Sequence, residues 1–290
     1  MIKYIALFLI CLIAPSFKAE NEIDWAGFRF SENGIKKKEN FGKIPEPDEW
    51  VKNVNKFRRN FKGPAKPTVL VLVNSIHDDC EAHFRFPAPD GFKETKYIKY
   101  NKKDTFEKIL TKFDEKDFNV WLQIEPGEND LIELAKITFK HYGHHKCVKG
   151  FGLDLEWWHR KADKHGQALD DRTAKKVVEY VRSINKDYTV FAKHWRVNFM
   201  PPTYRDGMIF VDDSQGLKST SNMQKTFQKW AKAFPDNPVM FQIGYKADKP
   251  LWKSSPIKFA NDVIKAVSKY NKHVGIIWVD FTLKEALRKM

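Results

Sequence analysis

The chain has 290 residues, 42% of them hydrophobic, with 51 Lys and Arg against 37 Asp and Glu, for a formal net charge of +14. That length is ample for one large core and requires no second domain, while three cysteines exclude a disulfide framework. The basic balance favours anionic partners such as acidic polysaccharide through attraction that salt weakens. Yet the lysines are scattered, Lys36-Lys37-Lys38 being the densest run, and no nucleic-acid motif occurs.

Residues 1–19 hold Lys3, an apolar run and then the small residues Ser16 and Ala19, the layout of a secretory signal peptide. The run is too short to span a bilayer stably, and no later segment reaches spanning length. Residues 20–290 are therefore expected to form one secreted domain with no stable membrane insertion. Cys11 leaves with the leader, and Cys80 and Cys147 are expected at opposite ends of the fold, unbonded to each other.

Apolar or β-branched runs recur near residues 26–30, 68–74, 119–125, 148–156, 189–194, 208–212, 239–244 and 274–280. Helical patterns fill 104–116, 129–142, 170–185, 222–234 and 256–270. Strands alternating with helices predict an α/β fold, a single (β/α)8 TIM barrel. The second connection, 77–103, carries Pro87, Pro89 and Gly91 and reads as a long loop or small hairpin over the mouth. The fifth, 195–206, contains Pro201 and Pro202 and is too irregular for a full helix.

Active sites of such barrels lie at the carboxyl ends of the strands. Followed to those ends, the inward parity offers Arg29, Asn74, Gln123, Glu125, Asp154, Glu156, Lys193 or His194, Asp212 or Asp213, Gln242, Trp278 and Asp280, with Tyr245 just beyond a strand. Unpaired buried charges are costly, so this ring is a mutually paired network or a reaction site.

The fourth strand is the most informative: Gly150-Phe151-Gly152-Leu153-Asp154-Leu155-Glu156-Trp157-Trp158. In a strand, positions i and i+2 share a face roughly 6.5–7 Å apart, which puts Asp154 and Glu156 together at the mouth. Glycosidic cleavage needs a protonated acid at the leaving oxygen and a second group that stabilises or captures an oxocarbenium ion. Glu156, nearer the mouth, is the candidate acid. Asp154 would orient it or stabilise positive charge, and Asp212 is a further candidate carboxylate. Trp157, Trp158, Trp195 and Trp278 fall at or near strand ends, where rings can pack on sugars.

The Asp154-Leu155-Glu156 run resembles the Asp-x-Glu signature of family 25 glycoside hydrolases, secreted muramidases with a barrel fold, and the resemblance implies Glu156 as the acid. Together with Ile277-Trp278-Val279-Asp280 it also resembles family 18 chitinases, whose last strand bears a sugar-stacking tryptophan. Phe151 and Trp158 stand where the chitinases carry acids, and Arg29 stands where the muramidases carry an aspartate. The likeness covers two short strands and implies a sugar-cleaving barrel rather than one substrate.

The expectation is a secreted glycoside hydrolase acting on a polysaccharide, anionic or built of amino sugars, without cofactor or metal. A carbohydrate-binding barrel that does not cleave is one alternative. A phosphodiesterase using His77, His83 or His194 with basic residues is another. The His77-Asp78-Asp79…His83 spacing matches no dedicated metal site, and His144-His145 is expected at the far end of the barrel, away from the chemistry.

Overall fold

In the computed structural model, which describes residues 21–78 and 80–290, the apolar runs become strands. In chain order these are β1 (Trp25–Phe30), β2 (Lys66–Leu72), β3 (Asn74–His77), β4 (Glu81–Phe84), β5 (Ile98–Tyr100), β6 (Asn119–Ile124), β7 (Val148–Asp154), β8 (Thr189–Lys193), β9 (Met208–Asp212), β10 (Val239–Ile243) and β11 (Val274–Trp278). Eight of them close into a parallel barrel in the order β1-β11-β10-β9-β8-β7-β6-β2. This is the (β/α)8 barrel that the alternation of strands and helices predicts. The leader assigned to residues 1–19 lies outside the described residues, as does Asp79. No helix among the described residues is long and apolar enough to cross a membrane.

Helices begin where the sequence supplies caps. Asp130, Asp170, Ser219 and Ser255 each accept a hydrogen bond from the backbone N–H three residues on, which satisfies a donor the helix itself leaves unpaired. Helix Pro47–Arg58 has no match among the predicted patterns. Its charged face masks a narrow buried stripe of Trp50, Val54 and Phe57. The long second connection folds as the three-stranded sheet β3-β4-β5, and the fifth contains only the short 3-10 turn Val197–Phe199. Cys80 and Cys147 are buried free thiols.

The barrel interior is filled by Leu70, Trp121, Phe191, Ile209, Val211, Met240 and Ile277, with Trp25 below them. Glycines on the inward parity make room for these large side chains. A Cβ at Gly152 would lie 2.1 Å from the Phe191 ring. Gly152→Ala should therefore destabilise the protein by about 1–3 kcal/mol in urea unfolding. Phe191→Leu in the same chain should restore part of the loss, and an additive double variant would remove this explanation.

The inward place assigned to Trp278 is corrected here. Ile277 faces the interior, and Trp278 is fully buried on the outer side, with ring centroids 6.3 Å from Phe57 and 5.4 Å from Trp252. Its indole Nε1 donates to Thr282 Oγ1 at 3.0 Å. The run Val274-Gly275-Ile276-Ile277-Trp278 is buried on both faces, so no polar alternation marks its inward side.

Candidate active site

β7 ends at Asp154, two residues before the predicted end, and Leu155–Trp157 forms a 3-10 turn. Glu156 therefore does not repeat the direction of Asp154 along a strand. The turn is tied to the loop after β6: Gly127 N donates to Trp157 O at 2.9 Å, and His159 N donates to Gly127 O at 3.0 Å. His159 Nδ1 lies 2.9 Å from Glu128 Oε2. Held this way, the Glu156 carboxyl turns back over the mouth, where single oxygens of Asp154, Glu156 and Asp213 all lie within 4.8 Å of one another.

Two buried cations occupy the floor. Lys193 Nζ sits 2.9 Å from Asp154 Oδ2 and 2.5 Å from Asp213 Oδ2. Arg29 pairs with Asp280 at 2.8 Å and reaches Glu125 at 3.6 Å. Asp280 also accepts bonds from the backbone N–H (2.6 Å) and the hydroxyl of Ser31, which closes the seam between β1 and β11. Gln123 Nε2 donates to Asp154 Oδ2 at 3.0 Å, and Gln242 Nε2 donates to the Tyr245 hydroxyl. Asn74 bridges strand ends: its Nδ2 donates to Glu125 O at 2.8 Å and its Oδ1 accepts from Glu125 N at 2.9 Å. Asp154 Oδ1 and Asp213 Oδ1 have no hydrogen-bond partner. In so dry a setting, such oxygens are free acceptors for a ligand.

The charges set the proton affinities. Burial, reinforced by Asp154, pushes the Glu156 carboxyl up to about 7. Burial and Asp154 also raise Glu125 to about 7, against the pull of Arg29. Asp154 is raised by burial, which Lys193 opposes. Burial works against the Lys193 charge, but Asp154 and Asp213 hold its pKa well above the ordinary lysine value. The mouth thus keeps a neutral carboxylic acid close to neutral pH beside an ion-paired carboxylate pair. Three clustered carboxylates would suit a hard cation by donor type. The Lys193 ammonium already supplies the compensating charge to Asp154 and Asp213.

A cavity of about 320 Å³ opens from Glu156 and Asp213, lined by Trp195, Ser214, Gln215, Leu217 and Asn222 among others. Among its described lining residues there is no lysine or arginine. A larger groove of about 500 Å³ on the flank is basic, lined by Phe41, Lys43, Lys52, Lys56, Lys284 and Arg288, and shares no residue with the mouth.

Arg29, Gln123, Glu125, Asp154, Glu156, Lys193, Asp213, Gln242, Tyr245 and Asp280 thus form linked polar groups at the mouth, with Asn74 as a structural clamp beside them. Three further assignments are corrected. Asp212 points outward from β9, while Ile209, Val211 and Asp213 carry the inward parity; its Oδ1 accepts from Ser214 N at 2.8 Å, and burial raises it well above the carboxylate range. His194 also points outward, stacked on Trp195 and Phe199, with Nε2 donating to His165 O at 2.9 Å and Nδ1 accepting from Arg196 N at 2.9 Å. Burial lowers it to about 4. Both ring nitrogens are committed to backbone, which leaves neither for a phosphate. Trp158 is 7% exposed and packed in the core, so Trp195 presents the indole at the cavity instead.

Sequence parity missed Arg160, whose guanidinium stands 4.1 Å over the Trp157 ring and 3.4 Å from Glu156 Oε1. The available signal was its spacing of four residues after Glu156. The cavity wall from Ser214 to Thr226 was missed because it belongs to a loop and a helix start, where parity has no meaning.

The chain matches no family model and no curated protein. Several solved structures resemble it at low identity. The β-glucuronidase of Parabacteroides merdae superposes with a TM-score of 0.48 at 9% identity, covering 89% of this chain and 31% of that one. The β-mannanase of Thermomonospora fusca, solved with mannotriose, gives 0.44 at 10% identity over 89% of this chain and 78% of that one. The carboxyl transferase domain of Rhizobium etli pyruvate carboxylase gives 0.36 at 16% identity over 60% and 30%. The chain spans about a third of the length of the glucuronidase. Glycoside hydrolases are thus among its structural neighbours, a likeness of barrel architecture from which no reaction is inferred.

Proposed function

We propose that the protein is a secreted glycoside hydrolase that cleaves a polysaccharide at the barrel mouth, with Glu156 as the proton donor. One observation carries the reading: a carboxyl raised to about 7 stands within 4.8 Å of two further carboxylates at the edge of a polar cavity bearing an indole. Secretion rests on the leader-like layout of residues 1–19 alone.

In this reading a sugar unit packs on Trp195 and its hydroxyls bond to the neutral polar wall. Glu156 gives its proton to the glycosidic oxygen as the bond to the anomeric carbon breaks. Asp154 and Asp213 face the positive charge that develops on the ring. Water then adds through its oxygen to the anomeric carbon, and Glu156, deprotonated by the first step, takes the proton that this water loses. The described lining residues of the cavity include no lysine or arginine, and the nearby Arg160 and Lys193 are already paired with Glu156 and Asp213, which favours a neutral or amino-sugar unit over an anionic one at this subsite.

The pH dependence follows from the same carboxyl. kcat/KM should fall above pH about 7, roughly tenfold per pH unit, as Glu156 loses the proton it must donate. A profile flat to pH 9 would remove Glu156 as the acid.

The direct test incubates the protein with peptidoglycan, chitin and neutral polysaccharides and measures new reducing ends. Release from one polymer identifies the substrate class. No release from any polymer, with equal glycan binding by the parent and Glu156→Gln, would make the mouth a recognition site.

A further inference from the structure

Away from the mouth, helix Glu107–Glu115 packs beside the turn that joins helix Leu131–Tyr142 to β7. Two adjacent histidines occupy that turn. Glu107 Oε1 lies 3.6 Å from His144 Nε2, and Glu107 Oε2 lies 3.4 Å from His145 Nε2. The histidine rings are tilted by 35° with centroids 4.1 Å apart, so the three ligand-capable atoms fall within 4.8 Å of one another.

These separations have a specific meaning. A tetrahedral ion with bonds of about 2.0–2.1 Å places its ligand atoms roughly 3.3 Å apart. Each histidine Nε2 lies close to such an edge length from one Glu107 oxygen, His144 from Oε1 and His145 from Oε2, and a rotation of the exposed Glu107 carboxylate presents one oxygen to both. A second carboxylate orients the buried histidine: His145 Nδ1 lies 2.8 Å from Asp114 Oδ2, and Asp114 Oδ1 accepts from Cys147 N at 2.7 Å. An imidazole that donates its Nδ1–H to a carboxylate presents the Nε2 lone pair, the arrangement that supports metal-bound histidines. The His145 side chain is only 2% exposed and therefore fixed, whereas His144 and Glu107 are 62% and 44% exposed. An ion could enter from solvent and keep water on its fourth face.

We propose that Glu107, His144 and His145 form a binding site for a divalent transition metal of the zinc class, oriented by Asp114 and independent of the barrel mouth. Two imidazoles and one carboxylate suit zinc and its neighbours and disfavour calcium or magnesium, which take all-oxygen ligand sets. The bound ion would link helix Glu107–Glu115 to the turn that launches β7.

The test is zinc titration calorimetry on the full protein after chelator treatment, with cobalt substitution and its visible spectrum as a second readout. One equivalent of zinc is expected, with tetrahedral cobalt bands. His144→Ala and Glu107→Gln, both at exposed positions, should weaken zinc binding about a hundredfold, and Asp114→Asn about tenfold. Equal zinc affinity in the parent and the two ligand variants, or no zinc uptake by the folded parent at micromolar concentration, would overturn the proposal.

Discussion

Glu156→Gln is expected to lower kcat by about 10²–10⁴-fold and, at the same time, to make the protein more stable at pH 8. The loss of rate follows because glutamine keeps the shape and hydrogen-bonding reach of the side chain but has no proton to give. The gain in stability follows from the direction of the pKa shift. The carboxyl titrates near 4.5 in the unfolded chain and at about 7 in the folded one. Between those values the unfolded chain has released a proton that the folded chain still holds, so stability falls as pH rises through the window and stays lower above it. A shift of this size corresponds to about 3 kcal/mol at most. The Glu156 side chain is 25% exposed, and screening reduces the effect to about 1–2 kcal/mol. Urea unfolding should therefore separate the two proteins at pH 8 and not at pH 4. A variant that retains the parent's rate, or that is the less stable protein at pH 8, would contradict the assignment.

Lys193→Met should produce the largest loss of stability, about 3–5 kcal/mol at pH 8. Methionine fills much the same volume but leaves Asp154 and Asp213 buried without their shared cation. Such carboxylates can escape the penalty only by binding protons. The deficit should accordingly shrink at pH 5, and Lys193→Met with Asp213→Asn should recover part of it. Removing Lys193 also removes a charge that lowers the proton affinity of Glu156, so the alkaline limb of any residual activity should move to higher pH. A deficit below about 1 kcal/mol, or one equal at both pH values, would show that the pair does not govern this site.

The fold was legible because parallel strands and their helices differ in period and length. The inward polar residues Arg29, Gln123, Glu125, Asp154 and Gln242 could be followed by parity, since a charged residue ending an apolar run marks its side of the sheet, whereas parity left two choices at Lys193 or His194 and at Asp212 or Asp213. Trp278 could not be followed, because every neighbour in β11 is apolar and either side would bury it. Asp212 and Asp213 are adjacent acids, so one residue of register decides which of them meets Lys193.

By itself, the sequence determined the barrel, the approximate ends of its strands and the concentration of charge at those ends, because these depend on local periodicity. Only the tertiary structure decided how the charges combine. The 3-10 turn at Leu155–Trp157 folds Glu156 back over Asp154, and β8 and β9 bring Lys193 and Asp213 to the same point. Burial and partners from other strands set the charge state of each carboxyl, and neither can be read from the residues next to it in the chain.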